Sequence, residues 1–311
     1  MSKLLFIFNP LSGKGLIKHN LLDIIDIFTK AGYDVTVRPT QSQLDAYEYI
    51  RAHGSEFDRI VVSGGDGTLN EGVEGLMSFP REERKPIGYI PAGTTNDFAS
   101  TLNIPKDMEE AAYIAASGVP FDCDIGDFNG KTFNYIAAFG AFTDVSYDTP
   151  QEIKNVIGHA AYVWEGIKRL PSLSSYHVNI KYDGGEINEE VFLCVIMNTT
   201  SVGGILSTEK FTDVNLCDGL CEMIVFRQPT NPLELQSVLT GIIKGEASGE
   251  GYGLVKSTRF EITSDENIKW TLDGEYGGET QHTVINVLPR AISFIVDNNE
   301  TLQAMNESLK D

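Results

Sequence analysis

Residues 59–71 read RIVVSGGDGTLNE, Arg59 to Glu71, an apolar run that breaks into three glycines around one aspartate. β-Branched Ile60, Val61 and Val62 suit a central strand. Gly64, Gly65 and Gly67 permit positive φ and leave bare N–H groups that a ligand can approach closely. Thr68 with Glu71 three residues on is a capping-box pattern, so the spacing predicts a helix that opens at once, its positive dipole end facing the glycines. Such a terminus attracts anions, phosphate especially. A plain strand-to-helix turn reads the same way in isolation, and the rest of the chain must decide.

Upstream, Leu4 to Phe8 reads as a buried strand, followed by Ile17, Leu21, Leu22, Ile24, Ile25 and Phe28 at helical spacing. Tyr33–Val37 alternates as a strand, Leu44–His53 reads helical with Gly54 as its stop, and Pro86–Ile90 is another strand. Strands alternating with helices imply an α/β nucleotide-binding domain with a doubly wound parallel sheet, expected over residues 1–122. Ligands of such sheets bind beyond the carboxyl ends of the strands. Three small-residue loops fall there: Asn9 to Gly15, Gly64 to Thr68, and Pro91 to Asp97.

After Gly118-Val119-Pro120 the pattern changes to short alternating segments with hairpin turns at Asn129-Gly130 and Asp183-Gly184-Gly185. His177–Tyr182, Val191–Met197, Leu220–Phe226, Phe260–Thr263 and Val284–Leu288 read as strands of a second, mostly-β sandwich domain over 123–290. Helical text interrupts it at Ile153–Leu170 and Pro232–Gly245. The tail, 291–311, is expected to pack back on the first domain.

With 24 Lys and Arg against 44 Asp and Glu, the net charge of −20 argues against a nucleic-acid partner. Cys123, Cys194, Cys217 and Cys221 lack zinc spacing and read as reduced core thiols. The apolar run Leu4–Phe8 is too short for a signal peptide, and no segment approaches bilayer-spanning length. The expected location is cytoplasmic, with peripheral association at the inner face of the membrane. Any basic face toward an anionic surface must come from residues such as Lys14, Lys154, Lys168 and Arg169.

Gly13-Lys14 after a strand resembles a Walker loop but fails it, since Phe8 replaces the first glycine and Gly15 the Ser or Thr. What remains is a Ser and glycine nest able to hold phosphate through backbone N–H groups. Asp66 in a phosphate-facing loop would repel the phosphate unless a cation stood between them, and Mg²⁺ carried by ATP resolves the conflict. Asp97 repeats the arrangement after the next strand, and Asp124 stands where the second domain begins. Downstream, Asp273 and Glu275 at i and i+2 face one side if their strand continues, or mark an Asp-Gly turn if it does not.

Taken in order, "NPLSGKG" at Asn9, "SGGDGTLNE" at Ser63, "PAGTTNDFA" at Pro91, "DGL" at Asp218 and "LDGE" at Leu272 resemble the diacylglycerol kinase catalytic family in its soluble bacterial branch. NAD kinases and 6-phosphofructokinases are similar at GGDGT alone; the Asn-Asp loop and LDGE narrow the choice. The resemblance implies an ATP-dependent lipid kinase that phosphorylates diacylglycerol or a similar lipid alcohol to give phosphatidate. It implies ATP contacts from Asn9, Pro10, Leu11, Ser12, Gly13, Thr40, Gly65, Asp66, Gly67, Thr68, Leu69, Asn70, Glu71 and Thr94, with Asp273 as catalytic base. Mg²⁺ is expected near Asp66, Asp97 and Asp124, with Glu275 as a supporting carboxylate. A structural Mg²⁺ on Asn215, Asp218 and the Leu220 carbonyl, and a homodimer, are likewise implied. The chain departs from the pattern at Ser100, where a basic residue often stands, and in "STEKFTDVNL", which lacks the usual Pro and Ala. An apolar slot for acyl chains would draw on Phe133, Tyr135, Phe139, Phe142, Val163, Trp164 or Ile167, although aromatic residues at such spacing also build cores. The alternatives are a soluble-substrate kinase of the NAD kinase type and a nucleotide or lipid sensor without catalysis.

Overall fold

The computed structural model describes residues 1–141, 175–202, 206–207, 214–231, 233–234, 236–237 and 252–298. Phe142, Lys154, Val163, Trp164, Ile167, Lys168 and Arg169, both helical segments expected in the second domain, apart from 233–234 and 236–237, and the end of the tail lie outside the described residues. The chain divides into two compact units. Unit 1 comprises Met1–Ile125, Asn215–Gly219 and Leu288–Asp311; unit 2 comprises Gly126–Val214 and Leu220–Val287.

Unit 1 alternates strands and helices: β1 (Ser2–Phe8), α1 (Ile17–Lys30), β2 (Tyr33–Pro39), α2 (Asp45–His53), β3 (Arg59–Gly64), α3 (Asp66–Met77), β4 (Ile87–Pro91), α4 (Asp97–Thr101) and α5 (Met108–Ser117). The strands pair in parallel, β1 with both β2 and β3, and β3 with β4, giving the order β2-β1-β3-β4. Leu4 to Ile7 and Ile60 to Val62 are fully buried, as continuous apolar runs in a parallel sheet should be. Helix α1 buries Ile17, Ile24, Ile27 and Phe28 on one face and ends at Lys30, capped by Ala31 ahead of Gly32, whose φ of 92° no helix continues through. Because the strands are parallel, the loops after β1, β3 and β4 emerge on one edge.

Unit 2 is antiparallel. Its elements are the end of β5 (Val119–Phe128), β6 (Lys131–Phe133), β7 (Ile136–Gly140), β8 (Tyr176–Tyr182), β9 (Gly185–Met197), the short pair β10 (Ser201–Val202) and β11 (Leu206–Ser207), β12 (Cys221–Arg227), β13 (Tyr252–Ser257), β14 (Arg259–Leu272) and the first part of β15 (Glu275–Val296). Asn129 and Gly130 both carry positive φ, the conformation a tight two-residue hairpin needs. Phe133 and Phe139 are fully buried in the core of this unit, where Trp270 packs edge-on against both Phe128 and Phe139. Those two aromatic residues of the expected acyl slot are therefore core packing.

The four cysteines are buried free thiols. Among the described residues no group of three or more His, Cys, Asp or Glu is placed to hold a metal ion, and no helix is long and apolar enough to cross a membrane.

Two local expectations are corrected, and a reading left open is resolved as the Asp-Gly turn. Gly64, Gly65 and Gly67 do not adopt positive φ: Gly64 ends β3, Gly65 is extended at φ −85°, and Gly67 lies in the first turn of α3. Gly64 instead serves close approach, since a Cβ there would fall 2.5 Å from the Thr68 side chain. The Thr68–Glu71 capping box does not form either. Helix α3 begins at Asp66, and Glu71 reaches across to cap α2 instead, accepting from the amides of Leu44 at 2.8 Å and Ala46 at 3.2 Å. Leu44 sits at φ 66° and brings no side-chain cap of its own, so the orphan amides of α2 find their acceptor in a neighbouring helix. Finally, Asp273 and Glu275 do not share a face, because the strand turns at Asp273 (φ 49°) and Gly274 (φ 86°). Asp273 is buried and Glu275 exposed.

Candidate active site

In unit 1 the three loops are tied to one another by backbone contacts. The Asn9 amide donates to the Ser63 carbonyl at 2.8 Å and that of Thr40 to Phe8 at 2.8 Å, extending the parallel ladder past the strand ends. Ala92 and Gly93 both donate to the Gly64 carbonyl, at 2.7 and 3.1 Å. Gly13, at φ 54°, lies so close that a Cβ would stand 2.3 Å from the Ala92 carbonyl oxygen, and one on Gly93 would stand 2.6 Å from the Gly65 Cα. A Cβ on Gly65, by contrast, would make ordinary contacts of 3.5 Å with Ser12 and Gly93. The fold itself does not demand glycine there.

Asn9 contributes twice. Its Oδ1 accepts from the Leu11 amide at 2.9 Å, bending the loop, and its Nδ2 reaches Thr68 Oγ1 at 3.4 Å. Leu11 and Thr94 are exposed, Ser12 and Gly67 half-buried. Leu69 turns fully into the core, so only its main chain is available to a ligand, and Glu71 is committed to α2.

A residue the sequence reading passed over holds the second and third loops together. The Tyr89 hydroxyl lies 3.1 Å from the Gly64 carbonyl and 3.3 Å from Asn96 Oδ1, completely enclosed. Asn96 in turn accepts from the Gly93 amide at 2.9 Å, donates to its carbonyl at 2.9 Å, and gives its own amide to Asp66 Oδ2 at 3.1 Å. A tyrosine in the middle of a buried strand always needs a partner for its hydroxyl, and that was the available signal.

Asp66 and Asp97 are brought together. Burial, and then the negative charge of Asp97, push the Asp66 carboxyl up to about 6, although amides of Asn96, Asp97 and Phe98 oppose the shift. Asp66 Oδ1 is buried without a hydrogen-bond partner among the described residues. A buried carboxylate, Asp97, beside a half-buried one, Asp66, with one bare enclosed oxygen is a donor set that a hard divalent cation satisfies.

Asp124 belongs to a different cluster in unit 1. Its Oδ2 accepts from the Gly219 amide at 2.6 Å and its Oδ1 from that of Arg290 at 2.7 Å, while its own amide donates to Leu216 at 2.8 Å. Burial pushes this carboxyl up to about 6 as well, the two amides holding it back. Of the residues expected to hold a structural metal, Asn215 and Asp218 lie in this unit and Leu220 in the other. Asn215 Oδ1 accepts from the Cys217 amide at 3.1 Å.

In unit 2, Asp273 is clasped by main chain. Its Oδ2 accepts from the Asn134 amide at 2.6 Å, and its Oδ1 from Tyr135 at 3.0 Å and Ile136 at 3.1 Å. Its own amide donates to the Ile136 carbonyl at 2.9 Å. Three of a carboxylate's roughly four acceptor positions are thus filled by N–H groups, which hold the side chain in one place.

The chain as a whole is similar to known proteins. Residues 3–128 match the diacylglycerol kinase catalytic domain, and residues 140–296 match the YegS C-terminal NAD kinase beta sandwich-like domain. A diacylglycerol kinase of Bacillus subtilis is 37% identical over 291 residues, covering 92% of this chain and 94% of the relative. This chain belongs to the diacylglycerol kinase family. Another relative with that name, from Staphylococcus aureus, is 35% identical over 296 residues, covering 94% of this chain and 92% of its own length. A crystal structure of a diacylglycerol kinase from Bacillus anthracis superposes with a TM-score of 0.75 at 26% identity, covering 97% and 98% of the two chains. The family is one of lipid kinases that use ATP, and the match to its catalytic domain spans all three glycine loops. Motif order had implied the same family.

Proposed function

We propose that this member of the diacylglycerol kinase family transfers the γ-phosphoryl group of ATP to the free hydroxyl of diacylglycerol, the bond to the β,γ-bridging oxygen breaking to give phosphatidate and ADP. The observation that carries the reading is the bare, buried oxygen of Asp66 beside Asp97, at the mouth of three mutually braced glycine loops. Phosphoryl transfer asks a protein chiefly for positioning and charge neutralisation, and unit 1 offers both. The Asn9–Gly13 loop, through the Gly13 amide and the Ser12 hydroxyl, and the amides of Gly65 to Thr68 at the start of α3 cradle phosphate oxygens, with Thr40 and Thr94 at the rim. Asp66 and Asp97 would hold Mg²⁺, which when bound would supply charge neutralisation at the phosphates. Asn96 keeps Asp66 aimed through the 3.1 Å amide contact. Asp124 stands apart from this pair, with Gly219 and Arg290, and Asn215, Asp218 and the Leu220 carbonyl would be the donors of a structural Mg²⁺.

From unit 2, Asp273 accepts the proton of the acceptor hydroxyl as its oxygen attacks the γ-phosphorus. Glu275, exposed on the next strand, is the supporting carboxylate. The protein works in the cytoplasm as a homodimer, meeting its lipid peripherally at the inner face of the membrane. An ATP-dependent phosphorylation screen with labelled γ-phosphate, offering dispersed diacylglycerol, a sphingoid base and NAD, tests the reading. Label in phosphatidate alone is expected; label in NAD, or none in any acceptor, would overturn it.

A further inference from the structure

Unit 1 carries a second concave feature, built from none of the glycine loops. A cleft of about 390 Å³ is lined by Arg81, Arg84 and Arg290, with Glu82, Asp122 and Ser293 on its walls. That volume lies within the roughly 300–1,000 Å³ usual for small-ligand sites. Three arginines converging in a protein of net charge −20 with only 24 basic residues are not a general property of its surface.

Each guanidinium arrives differently. Arg84 is half-buried and fastened to main chain, its Nε donating to the Phe79 carbonyl at 3.0 Å and its Nη1 to that of Ala291 at 2.8 Å. Arg290 is fastened at the other side, through its Nε to the Cys217 carbonyl at 3.3 Å. Its backbone sits at φ 48°, a conformation that costs an arginine and not a glycine. Arg81 projects from the exposed 3₁₀ turn Arg81–Glu83. None of the three forms an ion pair with a carboxylate among the described residues. Burial, then the neighbouring Arg81 cation, hold the Arg84 guanidinium below its usual range, with Glu82 only partly compensating. Two forks are therefore held in place by carbonyls while Nη groups remain to donate, and preorganised forks of this kind suit oxyanions.

We infer that this cleft is a binding site for a phosphate monoester, distinct from the nucleotide loops. A tetrahedral phosphate offers three terminal oxygens to three guanidinium groups, whereas a planar carboxylate serves one fork. The acidic residues set an upper limit. Asp122 accepts from the Ser293 hydroxyl and Glu82 stands at the rim, so the lining carries three positive and two negative charges. That balance suits one phosphate and not a polyphosphate chain. The phosphate can come from a free metabolite or from a lipid headgroup.

Hydrogen exchange on the full chain separates these cases, because it reports the cleft and the glycine loops in one measurement. Glycerol 3-phosphate serves as the soluble probe, and phosphatidylcholine vesicles with and without phosphatidate as the lipid probe. Slowed exchange is expected over residues 79–84 and 289–294 with at least one phosphate probe, and not with plain phosphatidylcholine. Arg81→Glu, which removes a side chain with no hydrogen bond to the fold, should weaken that protection roughly tenfold or more while leaving residues 9–15 and 64–68 to respond as in the wild type. Arg84→Gln is the companion variant, checked for folding by its thermal melt. Protection by the soluble probe assigns a free metabolite, and protection by phosphatidate vesicles alone assigns a lipid headgroup. Protection confined to the glycine loops, or equal protection of the cleft in Arg81→Glu, would overturn the site.

Discussion

Asp273 and Asn134, 139 residues apart in sequence, meet through a 2.6 Å hydrogen bond from the Asn134 amide to the Asp273 carboxylate. A buried carboxylate that organises a strand junction and also serves as a base would make stability and turnover fall together when it is altered. Asp273→Asn would turn an amino group toward at least one of the three amides. A loss of about 1–3 kcal/mol is expected from that unsatisfied contact, read by denaturant melt. At a temperature where the variant remains folded, single-turnover transfer should drop about 10²- to 10⁴-fold with ATP affinity unchanged. Turnover above half of wild type would remove Asp273 from the chemistry and leave the structural role.

Gly13 and Gly65 should separate stability from binding. Gly13→Ala forces a Cβ into the Ala92 carbonyl at a positive φ, and the loops must part. Its thermal midpoint should fall together with ATP affinity. Gly65→Ala meets only ordinary contacts, so its midpoint should stay near wild type while calorimetric ATP affinity weakens. Equal behaviour of the two variants would mean that the backbone at Gly65 does not approach the nucleotide.

Asp66 offers a pH test. Its folded carboxyl is raised to about 6 from 3.8, so the ionised form is disfavoured by folding. Whatever this group contributes to stability is therefore greatest below about pH 4, declines as pH rises to about 6, and is constant above. In metal-free buffer Asp66→Asn should gain on wild type across that window, reaching on the order of 1–3 kcal/mol near pH 7. The same variant should use Mg·ATP poorly. A stability difference independent of pH would show that the charge of Asp66 is already neutralised by the protein.

Tyr89→Phe deletes one hydroxyl and no packing. We expect a loss of about 1 kcal/mol and a lower kcat with little change in KM for the lipid, because the loop that aims Asp66 is loosened. Unchanged kinetics in a destabilised variant would confine Tyr89 to the fold.

Capping of α2 by Glu71 gives a further check. Glu71→Ala should lower stability by about 1 kcal/mol, whereas Glu71→Gln, which keeps an acceptor, should recover most of it. If Glu71→Ala left stability intact and reduced ATP affinity instead, the side chain would belong to the nucleotide site.

Much of this architecture was legible in one dimension, because the relevant physics is local or periodic. The continuous runs at Leu4 to Ile7 and Ile60 to Val62, the amphipathic spacing of Ile17 to Phe28, and the glycine punctuation after each strand specify parallel strands with small-residue loops on one edge. Motif order then pointed to the family. What the chain could not show along its length is where an acceptor or a cation goes once the loops close. Thr68 and Glu71 have capping-box spacing, yet Glu71 caps a helix that begins 26 residues earlier, since the amides of Leu44 and Ala46 lie nearer in space. Asp273 and Glu275 have strand spacing, yet positive φ at Asp273 and Gly274 turns one inward and leaves the other in water. The division of Asp66 and Asp124 into separate clusters, the enclosure of Tyr89, and the meeting of Arg81, Arg84 and Arg290 likewise depend on residues far apart in the chain. Burial and electrostatic neighbours arise from long-range packing, and only the tertiary structure assigns them.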